Sequence, residues 1–314
     1  MKKIFLIGTI LLITVPQLFG QVQLTQYYLD GTIYNPAFAG SKDAYCIGTY
    51  FRDQWIGLTD QSGNDVSPKT AVFYLHAPLD SIHSGIGFNS LYDRAGFEES
   101  LSLKINYSYF LKLKNKNDKL GFGIGLSVMH KSIDFGMAVL AQPNDPLIPN
   151  AVTESGIIPD IDLGIMYQNN KQYYLGLSVT NFLQSKAGIG NISYQQKRYL
   201  YTTGGFYLKM VDDGHRKLEL IPTFLIKSNL INLQAEANAR VEVNNLYWAG
   251  ISLRYQDAVA AVAGINYKGF RFGASYDLTA GKLTGASYGS LEFFVGFCQP
   301  LEKIKTVHFN TRYL

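Results

Sequence analysis

The feature that most constrains this chain is a period of two. From residue 44 to residue 298, apolar and polar residues alternate in one segment after another, and no helical period interrupts them. Between Leu101 and Tyr109, the residues Leu101, Leu103, Ile105, Tyr107 and Tyr109 share one face, and Ser102, Lys104, Asn106 and Ser108 share the other. Between Asn232 and Glu242, the residues Leu233, Ala235, Ala237, Ala239 and Val241 alternate with Asn232, Gln234, Glu236, Asn238, Arg240 and Glu242. A half-buried sheet in a soluble protein alternates too, but here the pattern fills nearly the whole chain. It predicts about fourteen strands, at 44–54, 69–77, 82–93, 96–110, 119–131, 158–168, 172–181, 198–209, 217–227, 231–243, 245–255, 258–267, 269–278 and 288–298. Most have the length a tilted strand needs to cross a bilayer.

The expected fold is therefore all-β: a transmembrane antiparallel β-barrel of a bacterial outer membrane. Only 17% of residues are charged, against about 25% in soluble domains. The chain holds 30 Gly, 22 Tyr and 19 Phe, which suits aromatic girdles and curved strands. Lys2 and Lys3, a short apolar run from Ile4 to Val15, and Gly20 before Gln21 describe a signal peptide over 1–20. Without Lys2 and Lys3 the net charge falls from +4 to +2, too weak to point to nucleic acid. The expected organisation continues with an N-terminal segment, 21–42, packed at or in the barrel, then the barrel, 43–298, and a tail, 299–314. Loops after odd-numbered strands (59–68, 132–157, 182–197 and 279–287) are mostly long, and turns after even-numbered strands are short. That asymmetry, with an even strand count, puts both termini in the periplasm.

Nothing in the sequence rises to an active site, so the expectation is a non-enzymatic protein with no cofactor and no metal. His76, His83, His130, His215 and His308 have no metal-site spacing, and there is no nucleophile-elbow motif. Gly121, Gly123 and Gly125 lie inside an alternating strand and open no helix, unlike a dinucleotide fingerprint. Asp160 and Asp162 share a face, which a polar lumen explains more simply than acid–base chemistry. Cys46 and Cys298 fall at the same end of the first and last strands, with lumen parity. They either bridge the seam of the closed barrel or stand as two thiols out of register. A bridge around so long a loop would constrain the unfolded chain by up to about 5 kcal/mol.

The front of the mature chain carries the densest motifs: Gln26-Tyr27, then Tyr34-Asn35-Pro36-Ala37-Phe38-Ala39-Gly40, then Arg52-Asp53-Gln54-Trp55-Ile56-Gly57, then Pro68-Lys69-Thr70, and finally Asp93-Arg94-Ala95-Gly96. Arg52 shares a parity with Cys46, Gly48, Tyr50 and Gln54. Arginine facing lipid at mid-depth is costly, so this parity belongs to the lumen. On these residues the chain resembles the type IX secretion system membrane proteins of the PorP/SprF family of Bacteroidetes. Their opening has the form of a tyrosine-rich "YNPAxAG" segment followed by "RxQW.G", "P.T" and "D..G", from which Phe38 departs. The signature residues are Tyr34, Asn35, Pro36, Ala37, Gly40, Arg52, Gln54, Trp55, Gly57, Pro68, Thr70, Asp93 and Gly96. The resemblance implies an outer-membrane barrel of the type IX secretion and gliding machinery. Its partners would be components of that machinery and secreted cargo adhesins, engaged through their C-terminal domains. The rival expectation is a passive porin or hydrophobic-solute channel. Long loops are usually functional or disordered. The expected partner-binding loops are 59–68, 132–157 and 182–197, and 132–157 is the richest in candidates, with Phe135, Met137, Val139 and Leu140 ahead of three prolines.

Overall fold

In a computed structural model, the described residues are 23–60, 63–113, 118–137, 152–169, 172–280 and 284–301. They form seventeen strands. These are β1 (Ala44–Asp53), β2 (Lys69–Leu79), β3 (Ser84–Ala95), β4 (Glu98–Lys112), β5 (Asp118–Asp134), β6 (Thr153–Asn169), β7 (Tyr173–Thr180), β8 (Lys186–Ile189) and β9 (Ile192–Gln195). The chain continues through β10 (Tyr199–Phe206), β11 (Leu208–Asp212), β12 (Lys217–Ser228), β13 (Leu233–Val243), β14 (Tyr247–Arg254), β15 (Ala258–Tyr267), β16 (Phe270–Thr279) and β17 (Ser290–Pro300).

β8 and β9 pair with each other, and the other fifteen strands form one antiparallel sheet in which β1 pairs with β17 and the β10–β12 pairing closes the ring. β10 and β11 form one stave, so the barrel has fourteen. The interruption between them has a local cause. The pairing of β10 with β12 stops at Gly205 and Thr223, and that of β11 resumes at Leu208 and Leu220. The skipped stretch of β12 contains Pro222, which has no N–H to give to the ladder. Across from it, the Tyr207 N–H turns away and donates to the Gln172 carbonyl at 2.7 Å.

The alternation sorts the faces as the sequence predicts. Leu101, Leu103, Ile105 and Leu233 point outward and are 38–57% exposed, whereas Asn106, Gln234, Glu236 and Arg240 are buried inside. Outward tyrosines gather at both ends of the wall: Tyr45, Tyr109, Tyr247 and Tyr267 at one end, and Tyr92, Tyr255 and Tyr276 at the other. Aliphatic residues such as Ile47, Ile105 and Ile251 fill the band between them. This is the surface of a membrane barrel with interfacial girdles. At the seam, the β1–β17 register sets Cys46 directly opposite Cys298, and a disulfide joins them.

Two stretches differ from the sequence expectation. β5 runs on to Asp134 and β6 begins at Thr153, so the connection expected over 132–157 is shorter at both ends. Within the expected loop 182–197, β8 and β9 pair as a hairpin about a turn at Gly190 (φ +58°). The hairpin buries Ile189 against Ile133 and Phe135, an apolar anchor that its short, mixed sequence does not advertise.

The wall yields a depth test. Ile105→Arg, in the middle of β4, should cost about 2–4 kcal/mol of folding stability in lipid vesicles, and Leu111→Arg, near the turn end, about 0–1 kcal/mol. Denaturant unfolding of the reconstituted protein measures both. Equal costs would contradict the assignment of this face to lipid.

Candidate functional site

Residues 23–41 occupy the interior of the barrel. Leu24, Thr25, Gln26, Asp30, Thr32 and Ala37 have no exposed surface, and the segment is bonded to the inner wall along its length. It begins near the loop ends of the strands, where Thr25 and Gln26 meet Glu292, and finishes at the turn end, where Gly40 leads into β1. We call it the plug.

The upper attachment is ionic. Glu292, on the inner face of β17, accepts the backbone N–H groups of Thr25 and Gln26 at 2.8 Å each. Arg52 of β1 reaches Glu292 at 3.1 Å and Asp277 of β16 at 2.8 Å. Arg254 of β14 pairs with Asp277 at 3.2 Å and with Glu236 of β13 at 3.0 Å. The Thr25 hydroxyl sits among them. It donates to Asp277 at 2.7 Å and accepts from Arg52 and Arg254 at 2.9 and 3.0 Å. Charges this deeply buried require such partners, so the plug completes a network that the wall begins.

The middle attachment is steric. Asn35 caps the short turn Pro36–Phe38 by accepting the Ala37 N–H at 2.9 Å. Its side-chain amide donates to the carbonyls of Ile165 and Leu177 at 3.0 and 3.2 Å, bridging β6 and β7. That approach is possible because the wall is bare there. A Cβ added at Gly164 would lie 2.0 Å from Asn35 Oδ1, and one at Gly123 would lie 2.2 Å from the Ala37 nitrogen. Phe38 meets Tyr174 edge-on at 5.8 Å between ring centres.

The lower attachment pairs Asp30 with His76 of β2 at 3.2 Å, with the Thr32 N–H and hydroxyl also donating to the same carboxyl. Burial pushes the Asp30 carboxyl up. The neighbouring His76, Lys42 and Thr32 outweigh this and hold it below its ordinary value. Burial also pushes the Tyr34 phenol up.

The other signature residues build the loop-end rim. The Gln54 N–H donates to the Pro68 carbonyl at 2.8 Å. Trp55 takes a left-handed conformation (φ 55°), with its N–H on Ser290 Oγ at 3.1 Å and its carbonyl accepting from Ser67 at 3.0 Å. Gly57 lies against the Tyr288 ring. The Thr70 hydroxyl donates to Asp93 at 2.6 Å, and Gly96 sits in the tight connection from β3 to β4.

Asp160 and Asp162 are both buried in the interior. Asp160 accepts the N–H groups of Leu183 and Ser185 at 2.9 and 3.1 Å, and Asp162 accepts that of Asn181 at 2.9 Å and pairs with Lys104 at 3.0 Å. They hold the connection that follows β7. Phe135 is buried against Ile133 and Ile189 and so is not presented to the outside. Met137 ends the adjoining short turn, while Val139 and Leu140 lie outside the described residues, as do His308 and most of the tail. No group of His, Cys, Asp and Glu suited to a metal ion occurs among the described residues. The network of Thr25, Gln26, Arg254 and Asp277 escaped the sequence reading. Its one signal there was charge on lumen-parity positions of several strands near the same rim.

A sequence profile of the family described as type IX secretion system membrane protein PorP/SprF matches residues 17–297. No curated protein matches the chain. Among solved structures, the CymD monoaromatic hydrocarbon channel is similar at 10% identity over 87% of this chain and 93% of its own, with a TM-score of 0.54. The P. putida toluene transporter TodX is similar at 10% identity over 86% of this chain and 93% of its own, with a TM-score of 0.47. At such identities the likeness is one of fold alone.

The steric fit predicts that Gly164→Val will unseat the plug. The barrel should still fold, judged by heat-modifiable migration in gels, and residues 23–41 should become cleavable by protease. Continued protection of that segment in the variant would contradict the seating described here.

Proposed function

This chain belongs to the type IX secretion system membrane protein PorP/SprF family, and from that premise we propose that it is a plugged, non-enzymatic outer-membrane barrel that engages secreted cargo adhesins for export or surface attachment. The observation that carries the reading is the occupied lumen. The plug is tied to opposite sides of the wall, by Glu292 and Asp277 on one and by the Ile165 and Leu177 carbonyls on the other. A barrel filled in this way is suited to present surfaces to protein partners. A passive channel for small or hydrophobic solutes needs a continuous path, which the buried plug obstructs.

The orientation belongs to the same proposal. The short turns face the periplasm and the remaining secretion components, and the long connections face outward. Since β1 begins and β17 ends beside the short turns, the tail after β17 lies on the periplasmic side. Cargo then meets the rim formed by residues 54–68, the β8–β9 hairpin and the connection between β5 and β6. Because Phe135 is committed to anchoring the hairpin, the partner-binding part of that last connection is Met137 with Val139 and Leu140 beyond it.

Tagged barrel purified from cells that express an adhesin should retain that adhesin through its C-terminal domain, and the purified barrel should conduct negligibly in planar bilayers. Deleting residues 137–150 should leave folding intact and abolish adhesin capture. Steady conductance with no adhesin retained would favour the passive channel, and normal capture by the deletion variant would refute the loop assignment.

A further inference from the structure

Cys46 and Cys298 are the chain's two cysteines, and they stand 252 positions apart. Sites so distant in an unfolded chain meet rarely. The chance falls as roughly the three-halves power of the intervening length, here on the order of 10³-fold against near neighbours. What brings them together is the seam. β1 and β17 pair without interruption from Ala44 and Pro300 to Asp53 and Leu291, and this register sets Cys46 against Cys298. Their Cα atoms lie 4.2 Å apart, the close spacing of a directly opposed antiparallel pair. A slip of one residue would set Cys46 against Phe297 or Gln299, whose side chains point to the other face. The bond therefore needs both a closed ring and the correct register.

The two residues differ in access. Cys46 is 3% exposed and lies in an apolar cluster with Leu24 and Leu29 of the plug. Cys298 is half-buried at the edge of that cluster, two positions before β17 ends at the turn end of the barrel. With the plug seated, Cys298 is the more open of the two.

We propose that this bond is made last, on the already closed barrel, by a disulfide-bearing thiol oxidant that approaches from the turn end and enters through Cys298. The Cys298 thiolate attacks one sulfur of the oxidant's disulfide, and the other sulfur leaves with the bonding pair as a thiolate. The Cys46 thiolate then attacks the Cys298 sulfur and displaces the oxidant's remaining sulfur, also as a thiolate. Two cysteine thiols are oxidised to one disulfide, and the oxidant's disulfide is reduced to two thiols, which take up the two protons the cysteines release. An oxidising compartment supplies such reagents. The bond thereby records that the seam has closed in register. The proposal rests on the seam and not on adhesin capture, so either can fail alone.

The test uses the full chain, reduced, unfolded in urea and folded into detergent micelles without oxidant, with oxidised glutathione as the probe. Heat-modifiable migration should show a closed barrel while both thiols still react with a maleimide. Oxidised glutathione should then form the Cys46–Cys298 bond at least tenfold faster in the closed barrel than in the urea-unfolded chain, where glutathione adducts should accumulate instead. In the folded state, Cys46→Ser should retain glutathione on Cys298, and Cys298→Ser should take it up on Cys46 at least tenfold more slowly. Cys298→Ser combined with Gln299→Cys, one position along β17, should form no bond with Cys46. Migration checks that each variant closes, and the comparison of folded with unfolded parent decides by itself if one does not. The proposal is overturned if the barrel closes only after oxidation, if the unfolded chain forms the bond as fast as the closed barrel, or if the two single variants react equally fast.

Discussion

Glu292 joins the two halves of this structure. It has no exposed surface, it receives two backbone N–H groups from the plug, and it pairs with Arg52 across the β1–β17 seam. An inner wall that carries Arg52, Arg254, Glu236, Asp277 and Glu292 within a few ångströms of one another is stable only if each charge finds partners. Removing one partner from such a cluster typically costs about 3–5 kcal/mol, because the others are left uncompensated. The plug contributes the Thr25 hydroxyl and two N–H groups, so the wall's electrostatics and the plug's position are parts of one arrangement.

The signature residues divide along the same line. Tyr34, Asn35, Pro36, Ala37 and Gly40 belong to the plug, and Arg52 to the network that holds it. Gln54, Trp55, Gly57, Pro68, Thr70, Asp93 and Gly96 fix the rim through backbone bonds and tight turns. A motif spread over sixty-odd positions of sequence thus describes a seat and a collar at successive heights of one barrel. The disulfide between Cys46 and Cys298 lies at the other end of the seam, below Arg52 and Glu292, and ties the first strand to the last where the plug enters β1.

Much of the wall is legible in the sequence because lipid enforces it. A residue facing hydrocarbon cannot be charged without cost, so Leu101, Leu103 and Ile105 alternate cleanly with Ser102, Lys104 and Asn106, and the strand count follows. The interior is less legible because its rules are pairwise. Nothing near Asn35 in sequence announces that its amide will reach between Gly164 and Gly176, about 130 and 140 positions on. The bare patch was visible as Gly121, Gly123 and Gly125 on one strand face, but what it was bare for was not. The β8–β9 hairpin stayed hidden for a related reason: its stability comes from Ile189 meeting Ile133 and Phe135, a contact made by folding and not by local propensity.

The central claim is that residues 23–41 are a structural part of the folded barrel. Amide hydrogen exchange on the reconstituted protein tests it most directly. If Thr25, Gln26, Ala37 and their neighbours are bonded as described, peptides from 23–41 exchange as slowly as those from β1 and β17. Exchange of that segment within seconds, beside fully protected strands, would contradict the account.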